Sequence, residues 1–308
     1  HNQVINKEFP SVNGVFDILK YLHKLDVLYL NWIEELPEKR GGRIQSIFFI
    51  LLMSYLKFSG KKIIWTLHNK KSHSDRHTMV KALLLRLLLK KSDLIITHAS
   101  DGLNYIPKKT PGVYIPHPVI PRKQQNNTTH ARLNDIIIWG TVNKYKGIDL
   151  FLSYLIENKL IEKYRIIIAG TVVGSELTDK LERIALEYEN VSLMNRYIEK
   201  EELITLIEES KLILFCYQSE SVLSSGALMD SLSFNTNIAG PDVGAFHDLA
   251  QEGLIFSFKD YNDLMMRMDD FLISKGSSPA KEKKKENFLK NNSWEVFSSR
   301  IAELIKEL

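Results

Sequence analysis

The sequence is poor in cysteine, since Cys216 is the single one among 308 residues. No disulfide can therefore form within the chain, and such chains are typical of a reducing compartment. Cys216 ends the apolar run Leu212–Cys216, so we expect its thiol to pack inside a core. We expect a cytoplasmic protein, with a peripheral position on the inner face of the plasma membrane as a variant of that location.

Long apolar runs are missing as well. The longest, Ile47–Tyr55, has about nine residues, whereas a membrane-spanning helix needs ~20. We expect this run to form a buried helix, with an interfacial helix as the alternative. No signal peptide is recognisable, and because the chain begins with His1 rather than Met we expect a trimmed N-terminus.

Motifs for common cofactors and metals are also absent. No G-x-G-x-x-G follows a predicted strand in the first half, which excludes an NAD-binding Rossmann motif there. The nearest approach to a metal site is the spacing of His68, His73 and His77, which lie in a polar loop without suitable carboxylates. We predict that the protein needs neither a metal nor a bound cofactor.

Charge is unevenly distributed, although the net charge is only +4. Residues 1–130 contain 20 Lys and Arg against 9 Asp and Glu, a balance of +11, and residues 131–308 contain 21 against 28, a balance of −7. A basic half indicates contact with an anionic surface or substrate. Because no basic stripe with interleaved aromatic residues is present, we predict no nucleic-acid partner and favour an anionic membrane surface or a lipid phosphate.

The order of apolar runs predicts an α/β protein with two domains. Short, nearly all-apolar strands alternate with helices from Asp26 onward, which is typical of parallel sheets covered on both faces. The polar segment 122–134 predicts a linker. We therefore predict doubly wound, Rossmann-like domains over residues 1–121 and 135–290 with a ligand cleft between them, and a terminal helix over 291–308 that packs back toward the first domain.

One stretch, Leu212–His247, predicts a strand, a loop, a helix, a second strand and a second loop. Ser224, Ser225 and Gly226 open the helix, and the N–H groups and positive dipole end there suit a phosphate. Asp230, about one turn into the helix, is placed to accept from a ribose hydroxyl. The alternative is an ordinary βαβ unit in which Ser-Ser-Gly is only a helix cap.

Further motifs lie at the predicted carboxyl ends of strands. In the second half, Gly140–Gly147 reads GTVNKYKG and Ile166–Gly170 reads IIIAG. In the first half, Asn31–Glu34 reads NWIE, Trp65–Asn69 reads WTLHN and Ile115–His117 reads IPH. Because the carboxyl ends of parallel strands meet at one edge of a sheet, these loops are expected to line ligand sites.

With these motifs, the chain resembles the group 1 (GT4-like) glycosyltransferases of the GT-B fold, in a polysaccharide-assembly branch. The resemblance implies a donor site for a UDP- or GDP-linked sugar. The donor-binding residues it implies are Gly140, Lys144, Lys146, Gly147, Gly170, Glu220, Ser224, Ser225, Gly226 and Asp230. The acceptor-side residues are Trp32, Glu34, Asn69 and His117, and the catalytic candidate is His68.

The chain departs from the pattern of that family. Thr141 stands where the family has an arginine, and Lys144 or Arg122 are the substitutes for its diphosphate contact. The paired acids E-x7-E are missing, because Asp230 takes the second place while Glu220 lies two positions away from the first. The first strand and glycine-rich acceptor loop of the family are not visible at the start of the chain.

Several of these candidate site residues also have an alternative interpretation, in which the side chain has no functional role. Lys146 is the first choice for the diphosphate because it is a compact cation beside Gly147, and the alternative is a solvated loop lysine. Asp230 is otherwise a surface acid on its helix, and His68 a structural histidine. Trp32 is otherwise a packing residue.

The sequence therefore predicts a metal-independent, hexosyltransferase-type glycosyltransferase. It would move a sugar from a nucleotide-diphosphate sugar to a lipid-linked or oligosaccharide acceptor in bacterial surface polysaccharide biosynthesis. Two alternatives stay open. One is a non-catalytic nucleotide-sugar-binding homologue or complex subunit, and the other is a GT-B sugar-nucleotide epimerase.

Overall fold

The chain forms two compact units. The first contains His1–Pro116 and Glu295–Leu308, and the second contains His117–Trp294. The computed structural model describes residues 13–70, 76–122, 131–218, 223–273 and 279–308.

The first unit is built on four parallel strands in the order β1-β2-β3-β4. The strands are β1 (Val27–Asn31), β2 (Lys62–Leu67), β3 (Leu94–Thr97) and β4 (Gly112–Tyr114). The helices are α1 (Gly42–Phe58) and α2 (Thr78–Lys91), with 3-10 helices over Gly14–Tyr21, Ile33–Glu38 and Ser100–Tyr105. Each strand adds on the same side of the one before it, so right-handed crossovers place α1 and α2 on one face of the sheet.

The other face of this sheet is covered by the C-terminal helix α10 (Trp294–Lys306). Phe297 and Ile301 of α10 pack in one cluster with Ile64 of β2 and Ile96 of β3. Successive residues of a strand point to opposite faces, so Trp65 of β2 points toward α1 and α2, and it is fully buried.

The second unit is built on six parallel strands in the order β10-β9-β8-β5-β6-β7. The strands are β5 (Asn134–Trp139), β6 (Ile166–Ala169), β7 (Val191–Met194), β8 (Ser210–Leu214), β9 (Asn237–Pro241) and β10 (Phe256–Phe258). The helices are α3 (Ile148–Glu157), α4 (Ser175–Glu187), α5 (Lys200–Glu208), α6 (Gly226–Ser231), α7 (Gly244–Gln251), α8 (Tyr261–Ile273) and α9 (Pro279–Asn291).

Helices cover both faces of the six-stranded sheet. Ile136 and Ile138 of β5 pack with α3, α4 and α8, whereas Ile137 between them packs with α5, α6 and α7. Strands β6 and β7 continue on one side of β5, and β8 to β10 continue on the other. The carboxyl ends of β5 and β8 therefore flank the topological switch point, where doubly wound sheets bind their ligands.

These units confirm the predicted α/β class with two parallel sheets, and several local predictions were corrected. The second loop of the Leu212–His247 stretch, predicted over 240–244, is shorter than expected, because Gly240 and Pro241 end β9 and Gly244 begins α7, so that Asp242 and Val243 alone connect the two elements. Strand β10 was not predicted. The segment Ser274–Asn287 is rich in Gly, Ser and Lys, and this composition predicts mobility. Residues 279–287 instead begin α9 with Pro279, because proline at the first helical position and Lys and Glu after it favour a helix. Residues 274–278 lie outside the described part.

The apolar run Ile47–Tyr55 is half buried, which corrects the prediction of a buried helix. Within α1, Phe49 and Met53 are fully buried, whereas Ile47, Leu51 and Tyr55 are exposed. None of the helices in the described parts of the chain combines the length and apolar character needed to cross a membrane. Cys216 is buried as predicted, in the core of the second unit.

Candidate functional site

Lys146 lies at the switch point of the second unit, in the loop that follows β5. Its side chain is only 6% exposed. A Cβ placed on Gly140 would lie 3.3 Å from the Lys146 Nζ and 3.9 Å from the Ala227 side chain, and the ring centre of Tyr217 is 5.7 Å from the same Nζ. The ammonium group is thus surrounded by the end of β5, the segment after β8 and the start of α6.

The environment of Lys146 is unusual for a lysine. Among the described residues no carboxylate forms an ion pair with it, and burial lowers its pKa to about 8. A buried ammonium without a counter-charge is unfavourable. An anionic ligand that supplied the counter-charge would therefore bind well beside Gly140.

The start of α6 is held next to this cation. The Ser225 Oγ accepts a hydrogen bond from the Leu228 backbone N–H at 3.4 Å, as a helix cap does, and lies 3.0 Å from the Tyr217 hydroxyl. The Ser224 Oγ is buried and has no hydrogen-bond partner within the described residues. Gly226 borders open space, because a Cβ added there would meet no atom within 4 Å.

Gly147 and Gly170 have packing roles that explain why glycine is needed. Both have positive φ angles, +66° and +145°. A Cβ on Gly147 would lie 2.5 Å from the Cys216 carbonyl oxygen, and a Cβ on Gly170 would lie 2.2 Å from the Gly140 carbonyl oxygen. These glycines therefore allow close backbone approach around the Lys146 loop.

Asp230 lies beside two basic side chains. Burial raises its pKa, and the charges of Arg122 and His117 act in the opposite direction. The Arg122 guanidinium stacks over the Phe234 ring at 4.3 Å, and its Nη1 is buried with no hydrogen-bond partner in the described regions. The structure thus places Arg122, one of the suggested arginine substitutes, next to the acid predicted to contact ribose.

Three other predicted residues have different surroundings. His117 belongs to the second unit, where burial lowers its pKa and its Nδ1 lies 2.9 Å from the Pro118 carbonyl oxygen. Lys144 is exposed, and Glu220 lies outside the described residues. The acceptor-side role of His117 and the donor-binding roles of Lys144 and Glu220 stay predictions.

In the first unit, His68 is fixed at the carboxyl end of β2. Its Nε2 lies 3.0 Å from the Asn31 Oδ1 at the end of β1, and its ring stacks on Trp32 with 4.2 Å between centroids and 5° between planes. The His98 ring lies 5.4 Å away. Trp32 is half exposed and has a left-handed backbone with φ +55°, a strained conformation that often marks functional sites.

Glu34 is buried at the start of the 3-10 helix after β1. Both carboxyl oxygens lack a hydrogen-bond partner within the described residues, and so does the indole N–H of Trp65. Burial raises the pKa of Glu34 to about 7, and the nearby Trp65 indole lowers it to a smaller extent. Asn69, the fourth predicted residue of this edge, is buried as well.

Metal ligands do not cluster in the described parts of the chain, since no group of three or more His, Cys, Asp or Glu side chains comes together there. His73, the middle residue of the histidine spacing, lies outside those parts. The structure brings Lys146 close to Gly140 and Tyr217, and the Tyr217 hydroxyl in turn lies beside Ser225. Tyr217 was missed by the sequence reasoning, and the available signal was an aromatic residue directly after the apolar strand.

Comparison with known proteins shows remote relatives. No protein-family model matches the chain. Two proteins of Xanthomonas campestris pv. campestris, both named GDP-mannose:glycolipid 4-beta-D-mannosyltransferase, are 24% identical over 225 residues. The match includes 71% of this chain and spans 62% of the length of those relatives.

Solved structures resemble the chain over more of its length. Anabaena HepE in complex with UDP gives a TM-score of 0.68 with 12% identity, covering 96% of this chain and 82% of that one. The trehalose-phosphate synthase (UDP-forming) of Burkholderia xenovorans gives 0.59 with 13% identity, covering 83% of this chain and 71% of that one. The fold is thus that of the GT-B glycosyltransferases, as the motifs predict.

We predict that Gly170→Ala destabilises the second unit by about 3 kcal/mol or more, because the new methyl group would collide with the backbone at Gly140. Gly174→Ala is the matched control. Gly174 also has a positive φ, +103°, but a Cβ there meets no atom within 4 Å, so its cost is backbone strain of roughly 1–2 kcal/mol. Urea denaturation measures the free energy of unfolding of both variants. An equal decrease in the two would contradict the close contact between Gly170 and the Gly140 backbone.

A second prediction concerns Glu34 and pH. Its pKa is about 7 in the folded state against 4.5 for an ordinary glutamate, so the folded chain keeps a proton that the unfolded chain releases. Its contribution to stability is therefore most favourable below pH 4.5 and is lost as the pH rises to about 7. The loss corresponds to about 3 kcal/mol.

The neutral variant Glu34→Gln should remove this pH dependence. We expect it to equal the parent protein near pH 4.5 and to exceed its free energy of unfolding at pH 8 by up to about 3 kcal/mol. Urea denaturation from pH 4.5 to 8 measures this, with Glu303→Gln at an exposed position of α10 as the control. A pH dependence unchanged by Glu34→Gln would show that Glu34 is not the titrating group.

Proposed function

We propose that this chain is a glycosyltransferase that moves a sugar from a nucleotide-diphosphate sugar to a lipid-linked or oligosaccharide acceptor. The observation that carries the proposal is the buried ammonium of Lys146 at the switch point of the second unit, without a carboxylate partner among the described residues. A diphosphate supplies the missing counter-charge. The remote relatives are named for GDP-mannose and a glycolipid, and HepE was solved with UDP.

The proposed chemistry depends on the charge of the leaving group. When the bond between the sugar and the diphosphate breaks, negative charge grows on the diphosphate oxygens, and groups already placed there lower the barrier. In our proposal the Lys146 ammonium, with the hydroxyls and backbone at Ser224–Gly226, stabilises that charge in the role that a metal ion plays in other transferases.

The nucleoside is proposed to lie toward Asp230. That carboxylate accepts hydrogen bonds from the ribose hydroxyls, and the charge of Arg122 beside it favours its ionised form, against the effect of burial on its pKa. The proposed donor is UDP- or GDP-linked, because the named relatives and the solved neighbours use or bind these two nucleotides.

The first unit is proposed to contact the acceptor. His68 is the catalytic candidate there, and Trp32, stacked on its ring, offers an exposed aromatic face of the kind that packs on sugar rings. Glu34 and Asn69 are the other two residues that we propose to contact the acceptor at this edge of the first sheet. We place the reaction in bacterial surface polysaccharide assembly, since the NWIE, WTLHN and IPH segments resemble that branch, and we assign an anionic membrane surface as a partner of the basic half.

We predict that Lys146→Ala weakens binding of UDP or GDP by about 1.5–3 kcal/mol, the contribution of a charge-assisted hydrogen bond. Isothermal titration calorimetry at pH 7 measures this. Lys163→Ala is the control, because Lys163 is exposed and precedes β6, at the opposite edge of the sheet. Unchanged affinity in a folded Lys146→Ala protein would remove Lys146 from the site.

The pKa of Lys146 adds a pH signature to the same experiment. Below pH 8 the ligand-free lysine is charged, and above pH 8 it loses its proton. Nucleotide affinity of the parent protein should therefore fall above pH 8, by up to about tenfold per pH unit. The Lys146→Ala protein should lack this fall.

Turnover is tested by transfer of labelled sugar from GDP-mannose or UDP-glucose to an undecaprenyl-diphosphate-linked oligosaccharide. His68→Ala should lower kcat by roughly 10²–10⁴-fold while leaving nucleotide affinity unchanged. Nucleotide binding without transfer to any acceptor would favour the non-catalytic homologue. Conversion of the nucleotide sugar without an acceptor would favour the epimerase.

A further inference from the structure

The outward side of α1 is apolar. Five large side chains repeat along it and are between 53% and 94% exposed: Ile44, Ile47, Leu51, Tyr55 and Phe58. Their spacing of three or four residues places them in one stripe, about 21 Å long. A surface helix normally carries polar residues on the side away from its core, so this stripe needs an apolar partner.

The neighbouring helix α2 continues the same character. Met79 and Leu83 are 86% and 52% exposed on its outward side, and α1 and α2 pack against each other. Neither helix contains an acidic residue in its 31 positions. We call the exposed side chains of α1 and α2 together the α1–α2 surface.

Basic groups accompany the apolar side chains of the α1–α2 surface. Arg43, at the start of α1, and Arg86 and Lys90 on α2 are exposed. Within the described regions none of them forms an ion pair with a carboxylate. Their charges are therefore available to an anionic partner.

We propose that the α1–α2 surface docks this protein onto a lipid bilayer that contains anionic lipids. An interfacial helix has this combination of an apolar side with flanking Lys and Arg, and each basic group near an anionic leaflet adds to the attraction. The inner side of α1 is fixed in the core through Phe49 and Met53. The helix therefore lies along the bilayer surface, with its outer stripe among the lipid headgroups.

Charge argues against a second copy of the chain as the occupant. In a symmetric dimer each patch meets the same patch of its partner, so the basic groups of two acid-free surfaces would face each other. Such like-charge contact is unfavourable. An anionic lipid surface satisfies both the apolar stripe and the basic groups.

The use of this docking for acceptor access rests on the proposed function, since a lipid-linked acceptor lies in the membrane. The docking itself is separate, because it involves side chains of α1 and α2 and none of the residues around Lys146. Nucleotide titration of each variant therefore distinguishes a failure of docking from a failure of the proposed function.

The experiment is co-sedimentation of the full chain with phosphatidylcholine vesicles and with vesicles that also contain 30% phosphatidylglycerol, a composition chosen to give about one anionic headgroup in three. The variants are Leu51→Glu and Phe58→Glu on the stripe, and the double variant Arg86→Glu/Lys90→Glu. The controls are Leu186→Glu on α4 and Met266→Glu on α8, which replace equally exposed apolar side chains of the second unit.

We expect binding to the anionic vesicles that weakens at high salt. Leu51→Glu and Phe58→Glu should each lower the partition coefficient by roughly tenfold or more, and the charge-reversal variant should remove the preference for anionic lipid, whereas both controls should bind like the parent. Equal loss in the controls, unchanged binding in the stripe variants, or no binding to either vesicle would overturn the proposal. So would a dimer in light scattering that only the stripe variants abolish.

Discussion

An ammonium group held away from water without a counter-charge raises the free energy of the ligand-free fold. Lys146 is buried, and no carboxylate among the residues that the structure describes forms an ion pair with it. Its surroundings are built from three separate parts of the chain: the turn at Gly140, the Tyr217 segment after β8, and the start of α6. The close backbone contacts at Gly147 and Gly170 hold these parts together. Much of the local architecture therefore serves to keep one cation desolvated.

The topology explains why these distant segments meet. Strands β5 and β8 are neighbours in the sheet although some 70 residues separate them, and the order of strands reverses between them. Both strands run parallel, so their following loops leave the sheet at the same edge. The same rule brings Asn31, His68 and His98 together at the edge of the smaller sheet.

Much of this was predictable from sequence, because short apolar strands and helix caps are local signals. The apolar runs Lys62–Leu67 and Val191–Met194 predict strands and Thr78–Lys91 predicts a helix, and β2, β7 and α2 have these bounds. The burial of Lys146 was not predictable, because the loop around it is polar and its surroundings come from residues 6 to 81 positions away. Likewise, the charge effect of Arg122 on Asp230 comes from tertiary structure, because the two residues are distant in the sequence.

The errors have physical reasons of the same kind. Hydrophobicity along Ile47–Tyr55 predicted burial, but a helix that packs on one sheet buries only one side, so Leu51 and Tyr55 point outward. The composition of 279–287 suggested mobility, yet Lys and Glu are good helix formers and Phe288 anchors the helix in the core. At 47–55 the periodicity was therefore more informative than the apolar composition, and at 279–287 the helix propensity of Lys and Glu was the informative signal.

The most direct test of the central claim is a crystal structure of the chain with GDP or UDP. We predict that a diphosphate oxygen lies at hydrogen-bond distance from the Lys146 Nζ, about 2.7–2.9 Å, beside Gly140 and the start of α6. A diphosphate bound elsewhere, with the Lys146 Nζ facing no ligand atom, would contradict the account.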